Sequence, residues 1–194
     1  MNSIAEPPLA PQGAGLPGVE LVVARMLFRW RRLTGNRESF NARFQREREQ
    51  IRRLVAGLSE EDAGRRVLIQ RPPGLEDSSR FWSAWMTLDH MRIVHGGIVR
   101  VIGALKNGVT PPGAASTAAV KPSAAVASAV VVEYEKSCDE VLAVSEGELR
   151  TKARYAHPWF GPLDAAGWYA MAAVHIGLRR VQMERICAGS REIG

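Results

Sequence analysis

Residues 157–185 read HPWFGPLDAAGWYAMAAVHIGLRRVQMER, a loop feeding a strongly patterned helix. Pro158, Gly161 and Pro162 interrupt regular structure. Asp164 is placed to cap the helix, because its carboxylate can accept from an orphan backbone N–H. At about 100° per residue, one face carries Trp168, Met171, Ala172, His175, Leu178, Arg179, Gln182 and Ile186. Three polar side chains therefore lie in an otherwise apolar stripe. Such a stripe faces a core, and a polar group buried there needs a partner. The stretch predicts a bundle and an interior site, without naming a substrate.

Working outward, the periodicity predicts helices over residues 19–32, 37–58, 80–105 and 123–144. The second carries Phe40, Phe44, Ile51, Leu54 and Leu58 on one face, with Glu47 among them. The third, capped by Ser78 or Ser79, sets His90 on a face with Ser83, Met86, Thr87, Ile93, Val94, Gly97, Val101 and Leu105. His95 projects about 140° away, towards the surface or an edge. Gly97, unfavourable inside a helix by about 1 kcal/mol, implies a close neighbour or room beside His90. Pro122 suits a first helical turn. Ser59 can cap a short turn, and Ala129–Val132 is the one strand candidate, which its Ala-rich context assigns to helix. The expected fold is all-α: a four-helix bundle with a long crossover connection and an extra N-terminal helix. Residues 1–17 read as a mobile arm, 18–188 as a single helical domain and 189–194 as a frayed end.

The 194 residues, 46% apolar and 24% charged, suit one globular domain. A basic leader and a bilayer-length apolar run are both missing, which points to a cytoplasmic chain with no membrane partner. Cys138 and Cys187 are far apart and fit no metal-finger spacing. Ten arginines between Arg25 and Arg53 face only Glu38, Glu47 and Glu49, a surplus of seven against +6 for the whole chain. That segment reads either as a basic face for nucleic acid or an acidic partner, or as a solvated surface laced with pairs such as Glu49–Arg53. Without aromatic interleaving or a recognition-helix pattern, the second reading is preferred, and nucleic acid is not the expected partner.

Three pieces carry a resemblance: LVAGLSEEDAGRRV at 54–67, WSAWMTLDHM at 82–91 and HPWFGPLDAAGWYAMAAVHIGLRRVQMERI at 157–186. With their spacing they resemble the DinB-like superfamily of metal-dependent four-helix-bundle proteins. The resemblance implies one histidine from the bundle's second helix and two, spaced H-x-x-x-H, from its last. Residues i and i+4 share a helical face, and three histidines leave a metal position open for water or substrate. Some members transfer groups to or from small thiols. Here His90 matches the first ligand and His175 the second, but Arg179 holds the third position, and a guanidinium has no lone pair to give.

The expectation is therefore an interior pocket of Glu47, His90, His175, Arg179 and Gln182, with the metal site lost or remodelled. It would need no cofactor and could take a small-molecule ligand. The alternatives are a hydrolase or thiol-directed transferase with divalent zinc, nickel or iron on His90 and His175, and a non-enzymatic protein binding nucleic acid or an acidic partner through its arginines. Relatives imply a homodimer, for which the N-terminal helix is an extra surface. Depth along the bundle predicts a Glu47–Arg179 ion pair. His157 reads as a loop-fixing residue, and Trp82, Trp85, Trp159 and Trp168 as core and loop packing.

Overall fold

The structure, a computed structural model, describes residues 7–193. Six helices form: α1 (Gly18–Thr34), α2 (Arg37–Ala56), α3 (Glu60–Gly64), α4 (Ala84–Lys106), α5 (Val130–Val144) and α6 (Ala165–Ile193). Two small antiparallel pairs join them: β1 (Val67–Leu68) with β2 (Phe81–Trp82), and β3 (Tyr155–His157) with β4 (Gly161–Leu163). Helices α2, α4, α5 and α6 make the bundle. α4 packs on α5 and α6, α2 packs on α6, and α1 lies against α6 from outside. The crossover is the long segment 107–129 between α4 and α5. Among the described residues, no helix is long and apolar enough to cross a membrane.

Caps fix the helix starts. Asn36 accepts from the Ser39 N–H in a reciprocal capping box. Ser59 accepts from the Asp62 N–H, as its position suggested. Asp164 accepts from the Gly167 N–H at 2.9 Å and from Arg32 at the same distance, so one carboxylate starts α6 and holds α1 to it.

Three expectations need correction. α4 begins after Ser83, not Ser78 or Ser79, because residues 77–79 form a single tight turn and Phe81–Trp82 pair with Val67–Leu68. α5 begins at Val130, not near Ser123. The loop before α6 is a hairpin, with His157 opposite Gly161, whose φ of +70° suits a residue without Cβ.

α6 is buried on more than one side, since Tyr169, Ala173, Ile176, Met183 and Cys187 are buried along with most of the predicted face, of which His175 and Leu178 are half-buried. It runs to Ile193, with Ser190 buried. Of the N-terminal arm, residues 1–6 lie outside the described residues. Further on, the Ala10 N–H donates to Asp77 at 2.8 Å and Leu16 is buried.

Candidate functional site

α4 presents His90 and α6 presents His175, Arg179 and Gln182, and the structure links them in one hydrogen-bonded chain. His90 Nδ1 lies 2.8 Å from the Val120 carbonyl of the crossover, and its Nε2 is 3.1 Å from Nε2 of His175. Arg179 Nε–H donates to that same His175 nitrogen at 3.2 Å. A second guanidinium N–H donates to Gln182 Oε1 at 2.7 Å, and Gln182 Nε2 donates to the Ser79 carbonyl at 2.8 Å. Trp82 roofs the group, its ring 5.1 Å from both the His90 ring centre and the Arg179 guanidinium carbon.

The proton count around the two imidazoles does not close. A carbonyl only accepts, so His90 Nδ1 carries its proton and Nε2 offers a lone pair. Arginine only donates, so its bond to His175 Nε2 requires a lone pair there too. Two lone pairs would then face each other at 3.1 Å. If His175 instead donates from Nε2 to His90, the Arg179 bond is lost. His175 Nδ1 is buried with no partner in either case. Imidazolium does not resolve the conflict. Burial first, and the Arg179 charge second, hold both histidines well below the usual histidine range. Burial pushes Arg179 down to about 9, partly offset by the charge of Glu76, so it stays a cation at neutral pH.

His90, His175, Arg179 and Trp82 line one cavity of about 980 Å³, within the range of small-molecule sites, while Gln182, expected in the pocket, is fully buried behind Arg179 and outside the lining. Its walls are mainly apolar, with Phe28 of α1, Ile98 and Val101 of α4, Leu178 of α6 and residues of the crossover. The charged lining is one-sided: Arg31, Arg43, Arg100, Lys121, Arg179 and Arg180 against Glu76. Gly97 lines it too, and a Cβ there would meet nothing within 4 Å, so the glycine leaves room.

Glu47 lies elsewhere. It is buried between α2 and α6, where it accepts from Arg180 Nε at 2.5 Å, so the expected Glu47–Arg179 pair is corrected to Glu47–Arg180. The depth was right to one residue, but consecutive helical residues project about 100° apart. His95 is also corrected. It is fully buried beside Phe44, bonded to Ser137 Oγ at 3.0 Å, and burial pushes it down to about 3.

His157 accepts from the Trp159 N–H at 3.1 Å within the hairpin and stacks on Phe160. Three of the four tryptophans expected to pack core and loop, Trp82, Trp159 and Trp168, line the cavity. Glu76, Ser79 and the Val120 carbonyl were missed, since they sit in loops without periodicity. Several of the arginines are paired, Arg48 with Glu135 and Asp139, and Arg52 and Arg53 with Glu49.

The residues present do not fit a three-ligand metal centre. Among the described residues, no group of three or more His, Cys, Asp or Glu stands close enough to hold an ion. At the third-ligand position Arg179 occupies the lone pair that His175 would offer.

A family model described as the DinB superfamily matches residues 43–183. The crystal structure of TT2238, a four-helix bundle protein, superposes with a TM-score of 0.57 at 17% identity, covering 77% of this chain and 98% of that one. No curated protein matches the chain.

Proposed function

The chain belongs to the DinB superfamily, and from that premise we propose that it is a small-molecule-binding member whose metal centre has been replaced by the His90–His175–Arg179–Gln182 relay. The observation that carries this reading is the Arg179 bond to His175 Nε2, which puts a fixed cation where a third ligand would stand. A buried guanidinium on an apolar cavity with a cationic lining selects a molecule with an anionic head and an apolar body. The head would take the Arg179 donors, and the body would fill the space beside Gly97 and Leu178. A ligand acceptor that takes the Arg179 Nε–H would also free His175 Nε2 to carry a proton and donate it to His90 Nε2.

A second reading has one observation in its favour. Nitrogens 3.1 Å apart suit two ligands of a single ion, and zinc, nickel or iron on His90 and His175 would serve a hydrolase or a thiol-directed transferase. One pair of proteins separates the two. Purified without an affinity tag, the wild type should hold no stoichiometric metal, while Arg179→His, which restores the spacing, should take up zinc near one per chain. Stoichiometric metal on the wild type, lost in His175→Ala, overturns the first reading. Calorimetric titration with decanoate, an apolar carboxylate, should show binding that Arg179→Met weakens at least tenfold.

A further inference from the structure

α1 turns one side to the bundle, through Phe28, and the other outward. The outward side carries Val19, Val22, Met26, Trp30 and Leu33, with Val23 and Leu27 at its edges, and these are 44–82% exposed. They recur at steps of three and four, the spacing of a helix–helix seam and not of a solvated surface. Contiguous apolar patches of this extent mark interaction sites. Charge is sparse on this face, although the helix is rich in arginine. Arg25 donates back to the Trp159 carbonyl at 2.6 Å, Arg32 to Asp164 at 2.9 Å, and Arg31 lines the cavity. Arg29 alone of these flanks the seam, which offers an anionic lipid surface or a nucleic acid little to hold.

We propose that a second copy of this chain covers this face, its α1 laid antiparallel to the first about a two-fold axis at Met26. Side-chain size is the argument. The N-terminal half of the seam is small, with Val19, Val22 and Val23, and the C-terminal half is large, with Leu27, Trp30 and Leu33. An antiparallel copy centred on Met26 sets Val19 against Leu33 of the partner subunit and Val22 against Trp30 of the partner subunit. Both contacts join small to large, as close packing requires, and Met26 meets its own copy at the axis. A parallel pair would set Trp30 on Trp30 and leave the valine end loose. Seventeen residues span about 25 Å, and half the girth of a helix is about 17 Å. Two faces therefore bury roughly 900 Å², the size of a weak, exchanging complex.

Analytical ultracentrifugation of the whole chain tests this. The expected result is a monomer–dimer equilibrium in the micromolar range, weakened by about a hundredfold or more in Met26→Glu, which buries two carboxylates at the axis. Cysteine pairing tests the direction, since the native Cys138 and Cys187 are buried. Under mild oxidation Met26→Cys should cross-link with itself, and Val19→Cys should cross-link with Leu33→Cys but not with itself. Self-cross-linking of Val19→Cys overturns the antiparallel arrangement. A chain that stays monomeric at several hundred micromolar overturns the proposal. So does a monomer that co-sediments with phosphatidylglycerol vesicles through Trp30.

Discussion

Arg179 and Arg180 are neighbours on one helix, yet one faces a cavity and two imidazoles while the other meets Glu47. Glu47 is only 8% exposed at its side chain, whereas Glu49, one turn-fraction away, is 42% exposed. Glu47→Gln should therefore destabilise the fold by about 1–2 kcal/mol, tempered because Arg180 keeps Glu184 at 2.5 Å. Glu49→Gln should cost less, as the loss of an exposed pair does. Urea unfolding of the two variants checks the order, and equal midpoints would refute it. At this scale the sequence was legible where spacing decided. Histidine, arginine and glutamine at positions 175, 179 and 182 had to share a face, and they do. It was not legible which of two adjacent arginines Glu47 would reach, since a small rotation of α6 decides that. Nor could it show a backbone carbonyl at Val120, which carries no side-chain signal.

Helices were read from their apolar period, and their starts depended on caps in competition. Ser78, Ser79 and Ser83 all qualify as caps, and the β1–β2 pairing decides among them by drawing Phe81 and Trp82 into an extended form. Two- and three-residue strands leave no period to read. Two glycines separate helix propensity from packing. A Cβ at Gly97 of α4 would stand in open space, so Gly97→Ala should stabilise by about 0.5–1 kcal/mol. At Gly189 of α6 the same atom would come within 2.6 Å of Val67 Cγ1, so Gly189→Ala should destabilise by about 1–2 kcal/mol despite the better helix former. Thermal melts of both variants should move in opposite directions; parallel shifts would show that α6 and β1 are not so closely packed.

Across the whole molecule, all four histidines of the chain sit below their ordinary pKa, and burial is the first cause in each. A histidine kept neutral in the fold gives its full stability above the unfolded value near 6.5. Below that value the unfolded chain takes up protons that the native state refuses. Stability should therefore fall from pH 6.5 downward, through about 4 for His157 and towards about 3 for His95. Each site contributes at most about 1.4 kcal/mol per pH unit. Denaturant midpoints at about pH 7.5 and about pH 5.5, on either side of the unfolded value, should differ clearly, and a flat profile would contradict the burial of these rings. The bundle itself was legible because four amphipathic stretches with one long connection have few ways to pack. The cavity was not, since its volume lies between the crossover, α1 and the inner faces of α4 and α6, and no periodicity marks the crossover. α1 has a further consequence. Its inner side, with Ala24, Phe28 and Arg31, walls the cavity, while its outer side is the seam. Two binding events on opposite sides of one helix are thermodynamically linked. If filling the cavity shifts α1, the occupied chain must associate more or less tightly than the empty one. Association must then change the affinity of the cavity by the same factor.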